Sequence, residues 1–305
     1  MAVNKQLADE LERISKNHRL QGEVYRSNAY HKASINVAKY PTKITSGQQA
    51  RDAISGIGDS IEKSIDTFLS TGHSDRFQET LEEEIPYAIF ETIHGIGSVK
   101  AKKLYDEGYR TLEDLENAPL TAAQRIGLTY HTDFERKIPR EEIDQINQIF
   151  HQLFDPFKLK WEIAGSYRRG APESGDIDVL FQRDKLTDGG QLEMVDITNM
   201  LADYLIANLT DPEKGKTKYM GVIKVGKYAR RIDIRLIEPE SYYYAILYFT
   251  GSKELNKEMR SRAIELGLTL NEYGLYDALN IGRMARSERD IFRHLKIKYI
   301  PPNDR

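Results

Sequence analysis

Two aspartates, one residue apart, come directly before an apolar run in the middle of the chain. Asp176 and Asp178 are followed by Val179-Leu-Phe181, a pattern that predicts a β-strand. Side chains alternate faces along a strand, so both carboxylates should lie on one face, with Ile177 on the opposite, buried face. Two carboxylates on one face suit a hard divalent cation such as Mg²⁺, which often keeps phosphate oxygens among its ligands.

A glycine-containing basic segment, Gly165-Ser-Tyr-Arg-Arg-Gly170, precedes the aspartates. Its first two residues allow the backbone to approach a phosphate closely, and Arg168 and Arg169 can neutralise that phosphate. Either motif alone is usually a tight turn or a solvated strand end. Together they place carboxylates that can bind a metal beside arginines that can bind a phosphate, which indicates nucleotidyl transfer.

A third carboxylate lies in a second segment of alternating apolar and charged residues, 229–237. The alternation predicts a strand with a buried apolar face. Asp233 lies on the charged face, between Arg231 and Arg235. An aspartate in this setting is either part of a salt-bridged surface or the third ligand of a two-metal site.

The composition limits the class of protein. The chain has 305 residues in a typical globular balance and no cysteine, so disulfides and cysteine-bound zinc are excluded and a reducing compartment is expected. The first residues lack the apolar core of a signal peptide, and no run is long enough to cross a membrane. We therefore expect an intracellular protein.

The net charge of −3 argues against a broadly cationic surface for nucleic acid. The net charge is +2 over residues 1–78, −5 over 79–139, −2 over 140–238 and +2 over 239–305. Any contact with DNA should therefore be local.

A repeat in the first third of the chain predicts two helix-hairpin-helix motifs. Gly56-Ile-Gly58 and Gly95-Ile-Gly97 each follow an apolar segment and precede a helical one. One such turn is weak evidence, but two in matching context suggest backbone amides that hold DNA phosphates without reading sequence.

The period of the apolar residues changes along the chain. It is helical through residue 139 and again after Pro239, apart from a short β patch near 268–276. Between them it predicts strands near 160–164, 176–182, 217–225 and 229–237 and a helix near 190–208. This arrangement indicates an α+β fold.

Longer motifs follow one another along nearly the whole chain. They include Asn28-Ala-Tyr-His-Lys-Ala33, Gln124-Arg-Ile-Gly-Leu128, Gly175-Asp-Ile-Asp178, Arg230-Arg-Ile-Asp-Ile-Arg235, Tyr248-Phe-Thr-Gly-Ser252 and Asn256-Lys-Glu-Met-Arg260. In this order they resemble those of the family X DNA polymerases, the family of DNA polymerase beta.

The resemblance implies a helical N-terminal lyase-like domain followed by a polymerase domain with fingers, palm and thumb. It further implies a nucleotidyltransferase-type mixed sheet and the two helix-hairpin-helix motifs. The expected divisions are an N-terminal DNA-end-binding domain (1–78), a helix-hairpin-helix subdomain (79–139), a catalytic palm (140–238) and a nucleotide-selecting C-terminal subdomain (239–305).

The resemblance also implies template-directed filling of short gaps in DNA repair, of the base-excision type. The expected partners are gapped or nicked DNA and dNTPs, and the expected cofactors are two Mg²⁺ ions, with Mn²⁺ as an alternative. Na⁺ or K⁺ is expected at the hairpin turns. A monomer in the nucleus, or in a virus or its host cell, is expected.

The family's roles carry over residue by residue. The catalytic and metal-binding residues would be Asp176, Asp178 and Asp233. Phosphate contacts would come from Ser166, Arg169, Gly175 and Lys137, and contacts to sugar and base from Tyr248, Phe249, Gly251, Lys253 and Asn256. DNA would be contacted by Gly56, Gly58, Gly95, Gly97, Tyr30, Lys32, Lys218, Arg231 and Arg260. Arg235 and Glu272 resemble an ion-pair switch between open and closed states.

One departure from the family concerns its Schiff-base lysine, whose position falls on Ser64. Lys63 is adjacent, but one residue turns a helix by about 100°. Lyase activity on 5′-deoxyribose phosphate is therefore expected to be absent or weak, with Lys63 the remaining candidate nucleophile. A 5′-phosphate could still be bound by Arg26, Tyr30, Lys32 and Arg76.

Two other functions compete with polymerase activity. The first is a non-catalytic DNA-end-binding protein, against which the three carboxylates argue. The second is a template-independent nucleotidyltransferase, against which the two hairpins and Tyr248-Phe249 argue.

Overall fold

The computed structural model describes residues 4–72, 86–186 and 189–305. The chain divides into two compact units, Met1–Pro119 and Leu120–Arg305. None of the helices in the described residues is both long and apolar enough to cross a membrane.

The first unit is helical, as its periodicity predicts. Its helices are α1 (Lys5–Leu20), α2 (Val24–Lys39), α3 (Gly47–Ala53), α4 (Asp59–Thr71), α5 (Ala88–Glu91) and α6 (Ser98–Asp106), followed by a 3₁₀ turn at Asp114–Asn117. The apolar stripes of α1, α2 and α4 form one core, in which Leu11, Ala33 and Ile65 are fully buried. At the end of α4, Gly72 takes a left-handed conformation that favours glycine.

The second unit begins with α7 (Ala122–Thr129) and α8 (His131–Phe134). The side chain of Thr121 and that of Gln124 form a capping box that fixes the start of α7. Pro139 then leads into α9 (Arg140–Phe154), whose apolar stripe includes Ile143 and Phe150. This stripe packs against the strands that follow.

A five-stranded mixed sheet forms the centre of the second unit. Its strands are β2 (Trp161–Ile163), β4 (Ile177–Gln182), β5 (Leu205–Asn208), β6 (Lys218–Ile223) and β7 (Arg230–Ile237), in the order β2-β4-β7-β6-β5. Strands β4 and β7 are parallel, while the other neighbours are antiparallel. A second pair, β1 (Ile138–Pro139) and β3 (Glu173–Ser174), is antiparallel.

Other helices of this unit lie between or after these strands in sequence. They are α10 (Gly165–Arg168), α11 (Met194–Met200), α12 (Tyr242–Thr250), α13 (Lys253–Glu265) and α14 (Glu288–His294). The predicted β patch is the hairpin of β8 (Thr269–Leu270) and β9 (Leu275–Tyr276).

The predicted helix near 190–208 is wrong in its second half. Helix α11 ends at Met200, and Leu205–Asn208 form an edge strand against β6 instead. The side chains of this strand alternate between partly buried and exposed, and hydrogen bonds of its backbone to β6 outweigh the local helical pattern.

A buried ion pair joins β7 to the start of α9. Arg230 is only 3% exposed, and its Nε and Nη2 donate to the two carboxylate oxygens of Glu142 at 2.7 and 2.8 Å. Its Nη1 also donates to the carbonyl of Arg136 at 3.1 Å. Arg230 thereby anchors the segment that carries Lys137.

Candidate active site

Asp178 and Asp233 meet because β4 and β7 run parallel in register. The two residues are direct partners across the strands, and their side chains share one face while Ile177 and Ile232 are buried on the other. Burial raises the pKa of Asp178 to about 7, and the charges of Asp176 and Asp233 add to the effect. Burial also raises the pKa of Asp233, against the opposing charge of Lys218.

Asp176 lies just before β4, and its carboxylate is paired with an arginine. Its Oδ2 accepts a hydrogen bond from Nη2 of Arg231 at 2.9 Å. Within the described residues, no three acidic, histidine or cysteine side chains converge into a ready-made metal site. Three repelling carboxylates, two of them with raised pKa values, nevertheless form a donor set whose chemistry suits a hard divalent cation.

The basic motif lies against this carboxylate pair. Gly165 of the predicted turn is the first residue of the short helix α10, and its φ is +60°. A Cβ there would lie 3.2 Å from Oδ2 of Asp178, so only glycine allows this approach without strain. The segment proposed for phosphate thus adjoins the segment proposed for metal.

Ser166 and Lys137 both lie beside the Ser174-Gly175 segment. The hydroxyl of Ser166 donates to that of Ser174 at 2.8 Å. The pairing of Ile138 with Ser174 in the β1–β3 sheet brings the preceding Lys137 beside Gly175, whose Cβ, if present, would lie 3.9 Å from Nζ. Residues distant in sequence are thus brought close together.

The residues expected to contact sugar and base lie on α12, on α13 and, for Gly251, in the link between them. Tyr248, Asn256 and Arg260 line one small cavity, and Nδ2 of Asn256 donates to the carbonyl of Tyr248 at 2.8 Å. The ring of Phe249 packs edge-on against that of Tyr248, with the ring centroids 5.1 Å apart, and lies under the guanidinium of Arg235 at 4.2 Å.

The predicted ion-pair switch takes another form in this conformation. Arg235 stacks on Phe249, and an Arg235–Glu272 ion pair is absent from the described part of the chain. The expected switch, in which Arg235 pairs with Glu272, therefore stays a prediction about a second conformation.

Sequence reasoning missed a group of buried contacts behind the phosphate motif. Arg168 donates to both oxygens of Glu288, at 2.8 and 3.2 Å, and to the hydroxyl of Thr250 at 2.9 Å. Arg305 also donates to Glu288, at 2.6 Å. Their separation in the chain leaves no local pattern, and only the doubled arginine of the motif gave a signal.

Both hairpin turns in the first unit have the expected form. Gly58 and Gly97 are the N-cap residues of α4 and α6, while Gly56 and Gly95 have φ of +93° and +85°. A Cβ at Gly56, Gly58 or Gly97 would meet no atom within 4 Å, so these turns are open to a ligand.

A cavity of about 300 Å³ lies beside the first hairpin. Arg26, Tyr30 and Ser60 are among the residues that line it, and no lysine is among them. Ser64 is buried behind Tyr30, with its hydroxyl 2.9 Å from the Tyr30 hydroxyl. Lys32 and Lys63 are exposed and do not line this cavity, while Arg76 lies outside the described residues.

Comparisons with known proteins give matches over most of the chain. Models for the DNA polymerase beta palm and thumb match residues 137–239 and 245–305, the fingers domain of DNA polymerase lambda matches 88–135, and a helix-hairpin-helix domain matches 2–74. The chain belongs to the family X DNA polymerases. The family match confirms the expected α+β fold class, with its helical first part and its mixed sheet.

Relatives within family X match nearly the whole chain. DNA polymerase lambda of Rattus norvegicus is 31% identical to this chain, and the match covers 99% of the chain and 56% of the relative. DNA polymerase lambda of Arabidopsis thaliana is 30% identical, and the match covers 99% of the chain and 62% of the relative. DNA nucleotidylexotransferase of Xenopus laevis is 26% identical over 92% and 64%. The chain thus spans less than two thirds of these relatives. Family X membership implies a divalent metal cofactor, which the carboxylate pair fits.

Proposed function

We propose that this family X chain is a template-directed DNA polymerase that fills short gaps during DNA repair. The observation that carries the proposal is the juxtaposition of Asp178 and Asp233 on parallel strands, with α10 beside them. The named relatives and the palm model support the same reaction class.

Asp178 and Asp233, joined by Asp176, would hold two Mg²⁺ ions, with Mn²⁺ as an alternative. Bound ions of this kind stabilise the charge on the attacking and leaving oxygens of phosphoryl transfer. Asp176 would have to leave Arg231, and Arg231 would then contact DNA. Asp233, whose pKa is raised, would favour loss of the proton from the primer 3′-hydroxyl.

The chain's own residues would hold the nucleotide from two sides. Ser166, Arg169, Gly175 and Lys137 would bind the phosphates, where arginine and backbone amides suit their charge. Tyr248, Phe249, Gly251, Lys253 and Asn256 would form the sugar and base pocket. A hydrogen-bonded pocket of this kind favours one nucleotide shape over another.

DNA would be held by few contacts. The open turns at Gly56–Gly58 and Gly95–Gly97 would bind backbone phosphates, with Na⁺ or K⁺ at the turns, and Arg260 and Lys218 would contact DNA near the catalytic site. We propose that the protein is a monomer and that it acts where DNA is repaired, in the nucleus or in an infected host cell. We also propose that its domains divide after residues 78, 139 and 238.

Lyase activity is not part of the proposed function. Imine formation needs an amine within contact range of the sugar, and the cavity beside the first hairpin is lined without lysine. Arg26 and Tyr30 would instead hold a 5′-phosphate, so that the N-terminal domain acts as a DNA-end clamp.

Primer extension on a one-nucleotide gap tests the proposal. Each dNTP is supplied singly, with the template base varied and with or without Mg²⁺. We expect insertion of the complementary dNTP only, and only with the metal. Insertion regardless of template would indicate a template-independent transferase, and tight binding of gapped DNA without insertion would indicate a non-catalytic end-binding protein.

The Asp233→Ala variant should lose insertion while its affinity for gapped DNA falls little, because the residue serves the metal and not the DNA. Asp203→Ala, which removes an exposed aspartate, is the matched control. If Asp233→Ala keeps turnover within about tenfold of wild type, roughly 1.4 kcal/mol of barrier, the two-metal assignment is wrong.

A further inference from the structure

Thr250, the last residue of α12, is fully buried and is held by two consecutive arginines of the phosphate motif. Its hydroxyl accepts a hydrogen bond from Nη1 of Arg168 at 2.9 Å. Its carbonyl accepts one from Nη1 of Arg169 at 2.5 Å. The C-terminal carbonyls of a helix have no partner within the helix, so the second bond completes the end of α12.

Arg168 is itself fixed from behind. Its guanidinium forms a two-pronged contact with Glu288, which is 8% exposed, and Glu288 also pairs with Arg305, whose side chain is fully buried. A planar fork bound at both prongs has a defined orientation. The position of Thr250 is therefore determined by the same framework that holds α10.

These contacts join two parts of the catalytic unit. Helix α10 carries Ser166 and is followed at once by Arg169, while the two residues before Thr250 are Tyr248 and Phe249. The first part would bind phosphate and the second sugar and base. A nucleoside triphosphate has to fit both parts simultaneously, so the spacing between them matters for its recognition.

We propose, on the basis of the proposed function, that Thr250 is a positioning residue that couples the triphosphate contacts to the base pocket. Arg169 has five N–H donors, so its bond to the Thr250 carbonyl leaves others for a phosphate. A base that does not fit displaces Tyr248 and Phe249, and with them Thr250 and Arg169. A mismatched nucleotide is thereby held less well at its phosphates.

Thr250→Val tests this coupling, because it keeps the shape of the side chain and removes the hydroxyl. Thr250→Ser keeps the hydroxyl and should restore function. Thr198→Val is the matched control, since Thr198 is also buried but its hydroxyl bonds only within α11. Each variant is assayed for kcat/KM with the correct and an incorrect dNTP, and for thermal stability.

We expect Thr250→Val to lower kcat/KM for the correct dNTP by about tenfold, the value of a lost hydrogen bond to a charged group. The loss for the incorrect dNTP should be smaller, so selectivity falls. Thr198→Val should change neither. Equal behaviour of Thr250→Val and Thr198→Val, once corrected for folded fraction, would overturn the proposal.

A binding measurement separates this proposal from the proposed function. Inorganic triphosphate contacts only the phosphate part, whereas a dNTP contacts both. Thr250→Val should weaken dNTP binding by about tenfold and leave triphosphate binding unchanged. Equal weakening of both ligands, or of neither, would refute the coupling. Absence of nucleotide insertion by the wild-type protein would refute only the polymerase assignment.

Discussion

Asp178 occupies a position that is costly for a carboxylate. It is largely buried, and Asp176 and Asp233 add negative charge nearby, so its pKa is raised to about 7. Groups that serve catalysis are often held in such unfavourable surroundings. The residue therefore lowers the stability of the fold when no cation is bound.

Replacing Asp178 with asparagine should raise the melting temperature of the metal-free protein at pH 8, because the repulsion between carboxylates is relieved. The same change should reduce the further stabilisation that Mg²⁺ gives to the wild-type protein. Thermal unfolding with and without Mg²⁺ measures both effects, with Asp203→Asn as the control. A lower melting temperature without metal would contradict this account.

Ser64 is expected at the position of the family's Schiff-base lysine, and its side chain cannot form an imine. It is buried and bonded to Tyr30, and the adjoining cavity has no lysine in its lining. Borohydride trapping on a 5′-deoxyribose phosphate substrate should thus give little covalent adduct, even where gap filling is efficient.

The Ser64→Lys variant should increase trapping if the surrounding phosphate contacts are intact, and Ser64→Met is a control of similar bulk without an amine. Strong trapping by the wild-type protein that Lys63→Ala removes would show that Lys63 is the nucleophile. Strong trapping that survives Lys63→Ala would direct attention to Lys32.

At the residue scale, the sequence predicts which side chains carry the chemistry of the site better than it predicts which residues hold those side chains in position. The period-two pattern at Asp178 and Asp233 predicted their faces, and the parallel register brings them together. Thr250 and Glu288 lie far from the phosphate motif in sequence. Contacts between such distant residues depend on tertiary packing, which single-sequence patterns do not encode.

At the scale of elements, most strands and helices follow from periodicity, and the exceptions are elements set by their neighbours. Strand β5 exists because β6 offers it a free edge. Strands β1 and β3 have two residues each and are too short to leave any pattern. Yet β1 and β3 bring Lys137 to Gly175, so a short pair without a sequence signal shapes the site.

Helix α14 is attached to α10 through Glu288, and this attachment depends on pH. Burial alone would raise the pKa of Glu288, but hydrogen bonds and charge from Arg168 and Arg305 outweigh it, so the pKa is lowered. A lowered folded-state pKa stabilises the fold above the unfolded value of about 4.5, and this contribution is lost as the pH falls through the lowered pKa.

Glu288→Gln should therefore destabilise the protein by about 3–5 kcal/mol at pH 7, since it leaves the buried Arg305 without a carboxylate and leaves Arg168 with only the longer contact to Glu162, at 3.5 Å. The difference from wild type should shrink as the pH is lowered below about 4.5. Melting temperatures measured from pH 7 downward test this, with the exposed Glu258→Gln on α13 as control. A difference that stays constant with pH would refute the role of this charge.

At the scale of the whole molecule, the charge distribution limits how DNA is held. The net charge is −3, and no part of the chain is strongly basic. Affinity for gapped DNA should thus rest on few phosphate contacts, and the logarithm of affinity should fall only gently with the logarithm of salt concentration, by a little under one unit per contact. A decrease of about ten logarithmic units of affinity per logarithmic unit of salt would show instead that a large basic surface contacts the DNA.

Arg260→Ala should reduce that slope by about one unit if Arg260 contacts a phosphate of the template strand. Lys214, an exposed lysine that pairs locally with Asp211, supplies the control variant Lys214→Ala. Equal slopes for wild type and Arg260→Ala would remove Arg260 from the DNA-binding residues.

The parallel pairing of β4 with β7 also has a consequence for how the protein folds. The chain must pass through α11, β5 and β6 before β7 can lie beside β4, so this contact closes a long loop. Contacts of high sequence separation form slowly, whereas helical segments form from local contacts. During refolding, helical signal should therefore return before metal-dependent activity, because the two aspartates meet only in the last and least local step.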